Sequence, residues 1–175
     1  MEILNWKEIL QRYDYEDPSA IFNRINTKGF IAVPEDYDII NMIVLWKINR
    51  TVKIAFETIE YINSIAKAIN TPIEALKNTD VQNCFEELLD SPGIRLAMAS
   101  TIFHFYQPKA FPIIDERAYR QVFSEKLNPN GRWDIYSKYI SACNNICILN
   151  NIPFDMIDKI LYQIDIEKGN KLIGR

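Results

Sequence analysis

Glycine is scarce, with five in 175 residues, and no segment of strand length shows the alternation of β-branched and polar residues typical of sheets. Three cysteines, an odd number, argue against a disulfide framework. No apolar run approaches the roughly 20 residues that span a membrane, and the N-terminal segment has no basic stretch leading into an apolar one. We therefore expect a cytoplasmic protein with no membrane partner.

Positive charge is also limited, because 23 acidic residues face 20 basic ones and the net charge is −3. This balance argues against a protein that coats DNA by bulk electrostatics. A local phosphate contact stays open, since the N–H groups at a helix N-terminus attract phosphate without side-chain charge. The alternative is a mildly acidic protein with no polyanionic partner.

Apolar residues recur at helical spacing along most of the chain, and this pattern predicts an all-α fold. The helix from Tyr37 to Trp46 is apolar on most sides and is expected to be the buried central helix. Capping signals at Thr71 and Thr79 each open a helix. The other helices are predicted at about 2–13, 19–23, 51–68, 96–106, 115–123, 133–149 and 153–164, with a loop at 27–29.

A Pro-Gly turn, Ser91-Pro92-Gly93-Ile94-Arg95, joins two of these helices. Proline fixes φ, and glycine lets the backbone approach a ligand closely. The helix that follows presents unsatisfied N–H groups, which can bind a DNA backbone without reading its sequence. On spacing alone, a plain helix connection is the commoner interpretation of such a turn.

A second motif, Phe111-Pro112-Ile113-Ile114-Asp115, ends an apolar run on a carboxylate 22 residues after Gly93. Aspartate at the start of a helix is often its N-cap. That structural interpretation of Asp115 is compatible with a chemical one.

Together the two motifs resemble the helix-hairpin-helix superfamily of base-excision DNA glycosylases, most closely the adenine-mismatch glycosylases and their endonuclease III-like relatives. In that family a Leu-Pro-Gly-Val-Gly hairpin leads into Phe-Pro-Ile-(Leu/Val)-Asp, with an arginine five residues after the aspartate. The resemblance is sharp over residues 88–123. The matching positions are Pro92, Gly93, Ile94, Ala99, Ile102, Phe111, Pro112, Ile113, Asp115 and Arg120.

The resemblance implies a two-lobed helical fold forming one structural unit. Residues 34–113 would form a central helical barrel with the hairpin at 90–97, and residues 1–33 plus 114–175 the second lobe. Asp115 would be the catalytic carboxylate at a base pocket between the lobes, hydrolysing the N-glycosidic bond of a flipped base. The implied partner is double-stranded DNA with a lesion or mismatch, and we expect a monomer.

The resemblance also implies that hairpin residues hold the DNA backbone, with a monovalent cation at the hairpin carbonyls. These residues are Pro92, Gly93, Ile94 and Arg95. Arg95 replaces the second glycine of the family hairpin. An arginine there is strained if φ is positive, or it supplies a phosphate contact of its own.

Two further departures concern chemistry. Ala97 stands where bifunctional members carry a Schiff-base lysine, so a monofunctional hydrolase is expected. The C-terminal cysteine cluster of some relatives is absent, and Cys143 and Cys147 share one helix face. Two thiols cannot hold a four-iron cluster, so we expect buried free cysteines, no iron-sulfur cluster and no other cofactor.

Five other residues are candidates for pocket or phosphate contacts: Trp46, Lys47, Arg50, Arg117 and Arg120. Trp46 either stacks on a flipped base or packs in the core. Lys47 and Arg50 form a local positive patch or a solvated helix face. Arg120 pairs with an acid or reaches phosphate.

Three aromatic residues have weaker support as functional residues. His104, the only histidine, is expected to pack or hydrogen-bond among its aromatic neighbours, and Tyr37 and Tyr119 are candidates for pocket walls. Two functions besides a glycosylase stay open. One is a non-catalytic nucleic-acid- or protein-binding descendant of the same fold, and the other is an enzyme acting on a free nucleoside or small ligand.

Overall fold

The all-α prediction is confirmed by the computed structural model, which describes residues 1–13, 15, 18–28, 36–48 and 54–170. These residues contain no strand, and none of their helices is both long and apolar enough to cross a membrane. The α-helices are α1 (Trp6–Gln11), α2 (Ser19–Lys28), α3 (Asp36–Ile48), α4 (Phe56–Ala68), α5 (Pro72–Lys77), α6 (Thr79–Asp90), α7 (Leu96–Tyr106), α8 (Glu116–Phe123), α9 (Trp133–Asn150) and α10 (Ile157–Glu167), and a 3₁₀ turn (Phe154–Met156) leads into α10.

The sequence predicts the first residue of a helix most accurately where a capping side chain is present. Thr71 Oγ1 accepts the Glu74 N–H at 3.2 Å, and the Glu74 carboxylate accepts the Asn70 N–H at 2.7 Å. This is a capping box whose return bond falls one residue before the cap. The prediction for α6 is wrong in its cap: Asn78 rather than Thr79 accepts the first N–H groups of that helix.

Helix ends without such a signal differ from the prediction. The first helix begins at Trp6 rather than Glu2, because Asn5 adopts a left-handed backbone with φ of 57°. The loop predicted at Thr27 belongs to α2, and α4 begins only at Phe56. Apolar spacing therefore located these helices but did not fix their ends.

One contiguous apolar core runs through the described residues. The helix buried all round is α7, where every residue except Ala97 is buried, and it packs against α2, α3, α4 and α6. The expectation that α3 is a buried central helix holds for one of its faces: Ile39, Ile40, Ile43 and Val44 are buried, whereas Leu45 is 44% exposed. Further contacts place α1 on α10, α2 on α3, α4 on α6, α9 on α5 and α6, and α8 on α9 and α10.

The three cysteines are free and buried, as expected. Burial raises the pKa of the Cys143 thiol well above its ordinary value and that of Cys147 to about 12. These thiols therefore pack as small apolar side chains.

A buried carboxylate fastens α8 to α10. Asp165 on α10 has no exposed surface and accepts hydrogen bonds from Arg117 and Arg120 on α8, at 2.9 and 2.6 Å for the shortest bond of each. Gln121 and Asn170 donate to the same carboxylate at 2.6 and 3.0 Å. Burial alone would raise the pKa of Asp165, but these hydrogen bonds outweigh it and lower the pKa to about 2.

We predict that Asp165→Asn lowers the free energy of unfolding at neutral pH by about 3 kcal/mol, because two guanidinium groups lose their counter-charge. A carboxylate with a depressed folded-state pKa stabilises the fold above its unfolded pKa, and this stabilisation is lost as pH falls from about 4 toward 2. The wild type should therefore lose about 2 kcal/mol of stability across that window relative to the variant.

Urea unfolding at several pH values measures both effects. Glu60→Gln, at an exposed position of α4, is the matched control and should change stability by less than about 0.5 kcal/mol. Equal stability of Asp165→Asn and the wild type at pH 7 would show that Asp165 does not stabilise the packing of α8 on α10.

Candidate functional site

An extended buried segment, residues 111–114, leads into Asp115. Because a buried backbone outside helices has no ladder of its own, its polar groups need other partners. Each residue of the segment finds one in a side chain of α7 or α9. His104 Nδ1 donates to the Phe111 carbonyl at 2.8 Å, Tyr136 to Pro112 at 2.9 Å, Tyr139 to Ile113 at 3.1 Å, and the Ile114 N–H donates to Ser100 Oγ at 3.1 Å.

Three of these side chains donate to a backbone carbonyl, so each must carry a proton on its donor atom. Burial raises the pKa of Tyr136 and Tyr139 well above 10, so both hydroxyls remain donors. Since a carbonyl can only accept, the Nδ1 atom of His104 carries the proton in its bond. His104 is therefore a hydrogen-bonding residue, as the sequence analysis expected. Side chains of α7 and α9 therefore fix the end of the segment and the residue that follows it, Asp115.

Asp115 is half-buried and caps α8, where Oδ1 accepts the Ala118 N–H at 2.8 Å. The same residue lines a small cavity of about 20 Å³ together with Lys47, Asp158 and Tyr162. The carboxylate is therefore neither sealed in the core nor turned away from the cavity. Capping of α8 and access to a ligand coexist at this position.

A larger cavity of about 240 Å³ shares Tyr13, Tyr15, Trp46, Ile113 and Asp158 with the small one. We call it the aromatic cavity, and its further lining residues are Pro18, Phe22, His104, Phe105 and Lys159. Its volume lies below the roughly 300–1,000 Å³ typical of sites for drug-sized ligands. A planar ligand of one or two rings is the size it fits.

Aromatic contacts make one wall of this cavity continuous. The Tyr15 and Phe105 rings meet Trp46 edge to face, with centroids 5.1 and 5.2 Å away, and Phe22 stacks on Phe105 at 4.8 Å. Such geometries are favourable for ring quadrupoles and hold the rings in place. Both interpretations of Trp46 are thus compatible, because it is half-buried, packs on the core and lines both cavities.

Two carboxylates face these cavities from helix N-termini, where the helix dipole favours negative charge. Asp115 precedes α8, and Asp158 is the second residue of α10. Asp158 is 5% exposed, and its Oδ1 atom has no hydrogen-bond partner in the described part of the chain. Burial and the charges of Asp158 and Asp115 raise the pKa of Tyr13 far above 10, so its phenol stays protonated beside them.

The Pro-Gly turn between α6 and α7 has the geometry of a type II turn. Gly93 has φ of 85°, and the Ile94 N–H donates to the Ser91 carbonyl at 3.1 Å. Arg95 has φ of −125°, an ordinary extended conformation, so replacing the family's second glycine causes no strain. Pro92, Gly93 and Arg95 are exposed, whereas the Ile94 side chain is buried.

A groove of about 180 Å³ separates this turn from residues 129–132 and is lined by Arg95 and Arg132. The Arg132 guanidinium is bound to the carboxylates of Glu86 and Asp90, which offset its charge. Arg95 is therefore the exposed cation within the turn itself.

The backbone groups of the turn are partly engaged. The Ser91 carbonyl accepts the Ile94 N–H, and the Arg95 carbonyl accepts those of Met98 and Ala99. A carbonyl oxygen has a second lone pair, so a monovalent cation at these carbonyls stays a prediction of the resemblance.

The other residues that the sequence singled out lie in different surroundings. Lys47 lines the small cavity. Arg117 and Arg120 bind Asp165, so the acid-pairing alternative holds for Arg120, and Arg117 also lies 5.6 Å from the ring of Tyr162. Arg50 and the side chain of Tyr37 lie outside the described residues. Tyr119 packs on Phe123 and Tyr139 and does not line either cavity.

Sequence reasoning missed several lining residues, above all Asp158, Lys159, Tyr13, Tyr15 and Phe22. Asp158 looks like any acid in the first turn of a helix, and its neighbours in space are far away in the chain. The nearest available signal was the pair of tyrosines that follows the first amphipathic helix. In the described residues, no three His, Cys, Asp or Glu side chains are placed to hold a metal ion.

No family model, curated protein or solved structure matches the chain. The assignment of function therefore rests on the residues of the site and on the motifs that lead into it.

We predict that Tyr139→Phe lowers the free energy of unfolding by about 1–3 kcal/mol, because the buried Ile113 carbonyl loses its partner. Chemical denaturation measures the loss. Tyr162→Phe removes a hydroxyl from a half-buried tyrosine that lines the small cavity, and should cost less. Equal costs for the two variants would contradict the importance assigned to the Tyr139 bond.

Proposed function

We propose that the protein is a monofunctional DNA glycosylase with the two-lobed helix-hairpin-helix fold that its motifs resemble. In this proposal the α6–α7 connection is the hairpin, and Asp115 is the catalytic carboxylate. The position of Asp115 carries the proposal. This residue lines the small cavity, which shares five of its lining residues with the aromatic cavity.

The aromatic cavity suits a nucleobase taken out of the duplex. Enzymes that act on a base flip it out and hold it between aromatic side chains, with hydrogen bonds to its edge. Tyr15, Trp46, Phe22 and Phe105 provide aromatic faces, and the size fits one or two rings. Asp158 and Lys159 add polar groups to the same lining.

The chemistry assigned to Asp115 is hydrolysis. As the bond between C1′ of the sugar and the base nitrogen breaks, its electron pair leaves with the base and positive charge develops on the sugar. The carboxylate stabilises that charge and takes a proton from the attacking water, whose oxygen forms the new bond to C1′. Asp115 passes the proton taken from water to the departing base, directly or through solvent, so the carboxylate is regenerated and the products are free base and an abasic site.

Ala97 provides no amine for a lyase step. Lys47 and Lys159 line the cavities, so the assay includes borohydride trapping, and no covalent adduct is expected. Trapped protein that is lost in Lys47→Ala would assign a lyase step to that residue and contradict a monofunctional enzyme.

DNA backbone binding is assigned to the exposed part of the turn. Pro92, Gly93 and Arg95 are exposed, and Leu96 and Ala97 stand in the first turn of α7 ahead of the N–H groups bonded to Arg95. Helix N–H groups in this position bind phosphate by geometry and dipole. This contact is local, as the net charge of −3 requires.

A second candidate is a binding module without catalysis. The observation in its favour is the acidic surrounding of the turn, where Glu86 and Asp90 occupy the Arg132 guanidinium and Ile94 uses its N–H within the turn. Such a protein would bind duplexes weakly and leave the glycosidic bond intact.

We predict that the protein creates alkali-labile sites in at least one duplex of a panel carrying damaged or mispaired bases. Asp115→Asn should lower single-turnover cleavage by about 100-fold or more, since it removes the negative charge facing the sugar cation. Asparagine caps helices as well as aspartate, so stability should change by only a few tenths of a kcal/mol. Asp134→Asn, at an exposed position of α9, is the matched control and should cleave normally.

The outcomes separate the candidates. Duplex binding that weakens with salt, without cleavage of any panel member, selects the binding module. No duplex binding even at low salt contradicts both and leaves an enzyme or receptor for a free base or nucleoside.

A second prediction concerns the turn. Arg95→Ala should weaken duplex binding regardless of sequence and reduce the slope of log K against log salt by about 1. Lys138→Ala, at an exposed position of α9, should leave the slope unchanged. Fluorescence anisotropy with one duplex at several salt concentrations makes the comparison, and identical slopes for the wild type and Arg95→Ala would remove the turn from the interface.

A further inference from the structure

Asp158 is a buried carboxylate with one unpaired oxygen. It is 5% exposed and lines both cavities, and its Oδ1 atom has no hydrogen-bond partner among the described residues. Buried polar groups are almost always paired, and a buried charge without hydrogen bonds is costly. A group retained in this condition at a cavity wall is suited to a ligand that supplies the missing bond.

Among the described residues, no ion pair or hydrogen bond between helices accounts for the unpaired Oδ1 atom of Asp158. The carboxylate that fastens α10 to α8 is Asp165, two turns further along the helix. Lys159 follows Asp158 directly, and consecutive helix residues do not face each other. The first turn of α10 favours negative charge, but this is also true of exposed positions and does not require burial beside a cavity.

The chemistry of a carboxylate restricts what it accepts. An ionised carboxylate is an acceptor only, so the ligand edge that faces it must carry N–H or O–H groups. The aromatic rings of the same cavity favour a flat ligand. These two requirements together describe an aminated heterocycle.

We propose that Asp158 is the specificity-determining residue of the aromatic cavity, accepting a hydrogen bond from the exocyclic amino group of a flat nitrogen heterocycle. This inference rests on the proposed function in one respect, since a glycosylase would meet this group on a flipped derivative of adenine, cytosine or guanine. Derivatives of uracil and thymine are discriminated against.

The discrimination follows from the pattern of donors and acceptors on each base. Adenine and cytosine carry an amino group with two hydrogens, whereas the corresponding position of thymine is a carbonyl acceptor. The single N–H on the pairing edge of uracil lies between two carbonyl oxygens. A carboxylate that accepts this N–H therefore also meets a neighbouring lone pair, and the contact is weakened.

Binding of free bases tests the inference without DNA and without catalysis. Ligand-observed NMR titrations compare adenine with purine, which lacks only the amino group, and cytosine with uracil. We expect the aminated member of each pair to bind about tenfold or more tightly, the increment of a hydrogen bond to a charged acceptor. Asp158→Asn presents an amide that can also donate, so the preference should be lost or reversed.

Stability provides a readout that separates recognition from structure. Because Asp158→Asn replaces a buried, incompletely hydrogen-bonded carboxyl group with a neutral amide of the same shape, the unliganded variant should be at least as stable as the wild type. Asp165→Asn, the matched change on the same helix, should be destabilised. A destabilised Asp158→Asn with unchanged base preference would make Asp158 a structural residue and overturn the inference.

The remaining outcomes are also decisive. Equal binding of adenine and purine, or no measurable binding of any base, overturns the inference, whatever the lesion panel shows. A clear preference for aminated bases without cleavage of any duplex supports the inference and contradicts the proposed glycosylase. Cleavage confined to uracil or thymine derivatives contradicts the inference while supporting the glycosylase.

Discussion

The site depends on one constraint, the need of a buried, non-helical backbone for hydrogen-bond partners. Residues 111–114 run through the core as an extended segment, and four side chains from α7 and α9 each bond one of its backbone polar groups. If one of these partners were removed, a buried carbonyl or N–H would be left unpaired, which is a cost that few folds tolerate. The position of Asp115 is therefore a consequence of the core and not of its own contacts alone.

The ion pairs of Asp165 fix the positions of Asp115 and Asp158 relative to each other. Asp165 joins α10 to α8 through Arg117 and Arg120. Asp115 precedes one of these helices, and Asp158 lies in the first turn of the other, so the ion-pair cluster holds both carboxylates beside the same small cavity. The arginines that the sequence offered as phosphate ligands thus act on the site indirectly, by holding its frame.

The sequence predicted the helical class and the start of α8, because apolar spacing and the capping aspartate are local signals. It located the turn at Gly93 for the same reason, since only glycine adopts the required φ readily. It did not predict that α7 rather than α3 is buried all round. Composition along one helix does not reveal how many neighbours pack around it.

The cavity was the least predictable part. Asp158, Tyr13 and Phe22 meet only in the folded chain, and nothing in their local sequence distinguishes them from surface acids or ordinary core aromatics. Arg95 shows the opposite case, in which a family pattern suggested strain and the backbone avoids it by an extended conformation. Pattern matching identified the residue types that matter, whereas tertiary contacts decided what each of them touches.

The burial of every α7 residue except Ala97 has a geometric consequence. The turn that is assigned to the DNA backbone stands at one end of this helix, and His104, which lines the aromatic cavity, stands near the other. Eleven residues make a rod of about 16 Å, clamped on every side by its neighbours. The length of α7 thus fixes the distance between the turn and the aromatic cavity, and only a change in that length, such as a one-residue deletion, would alter it.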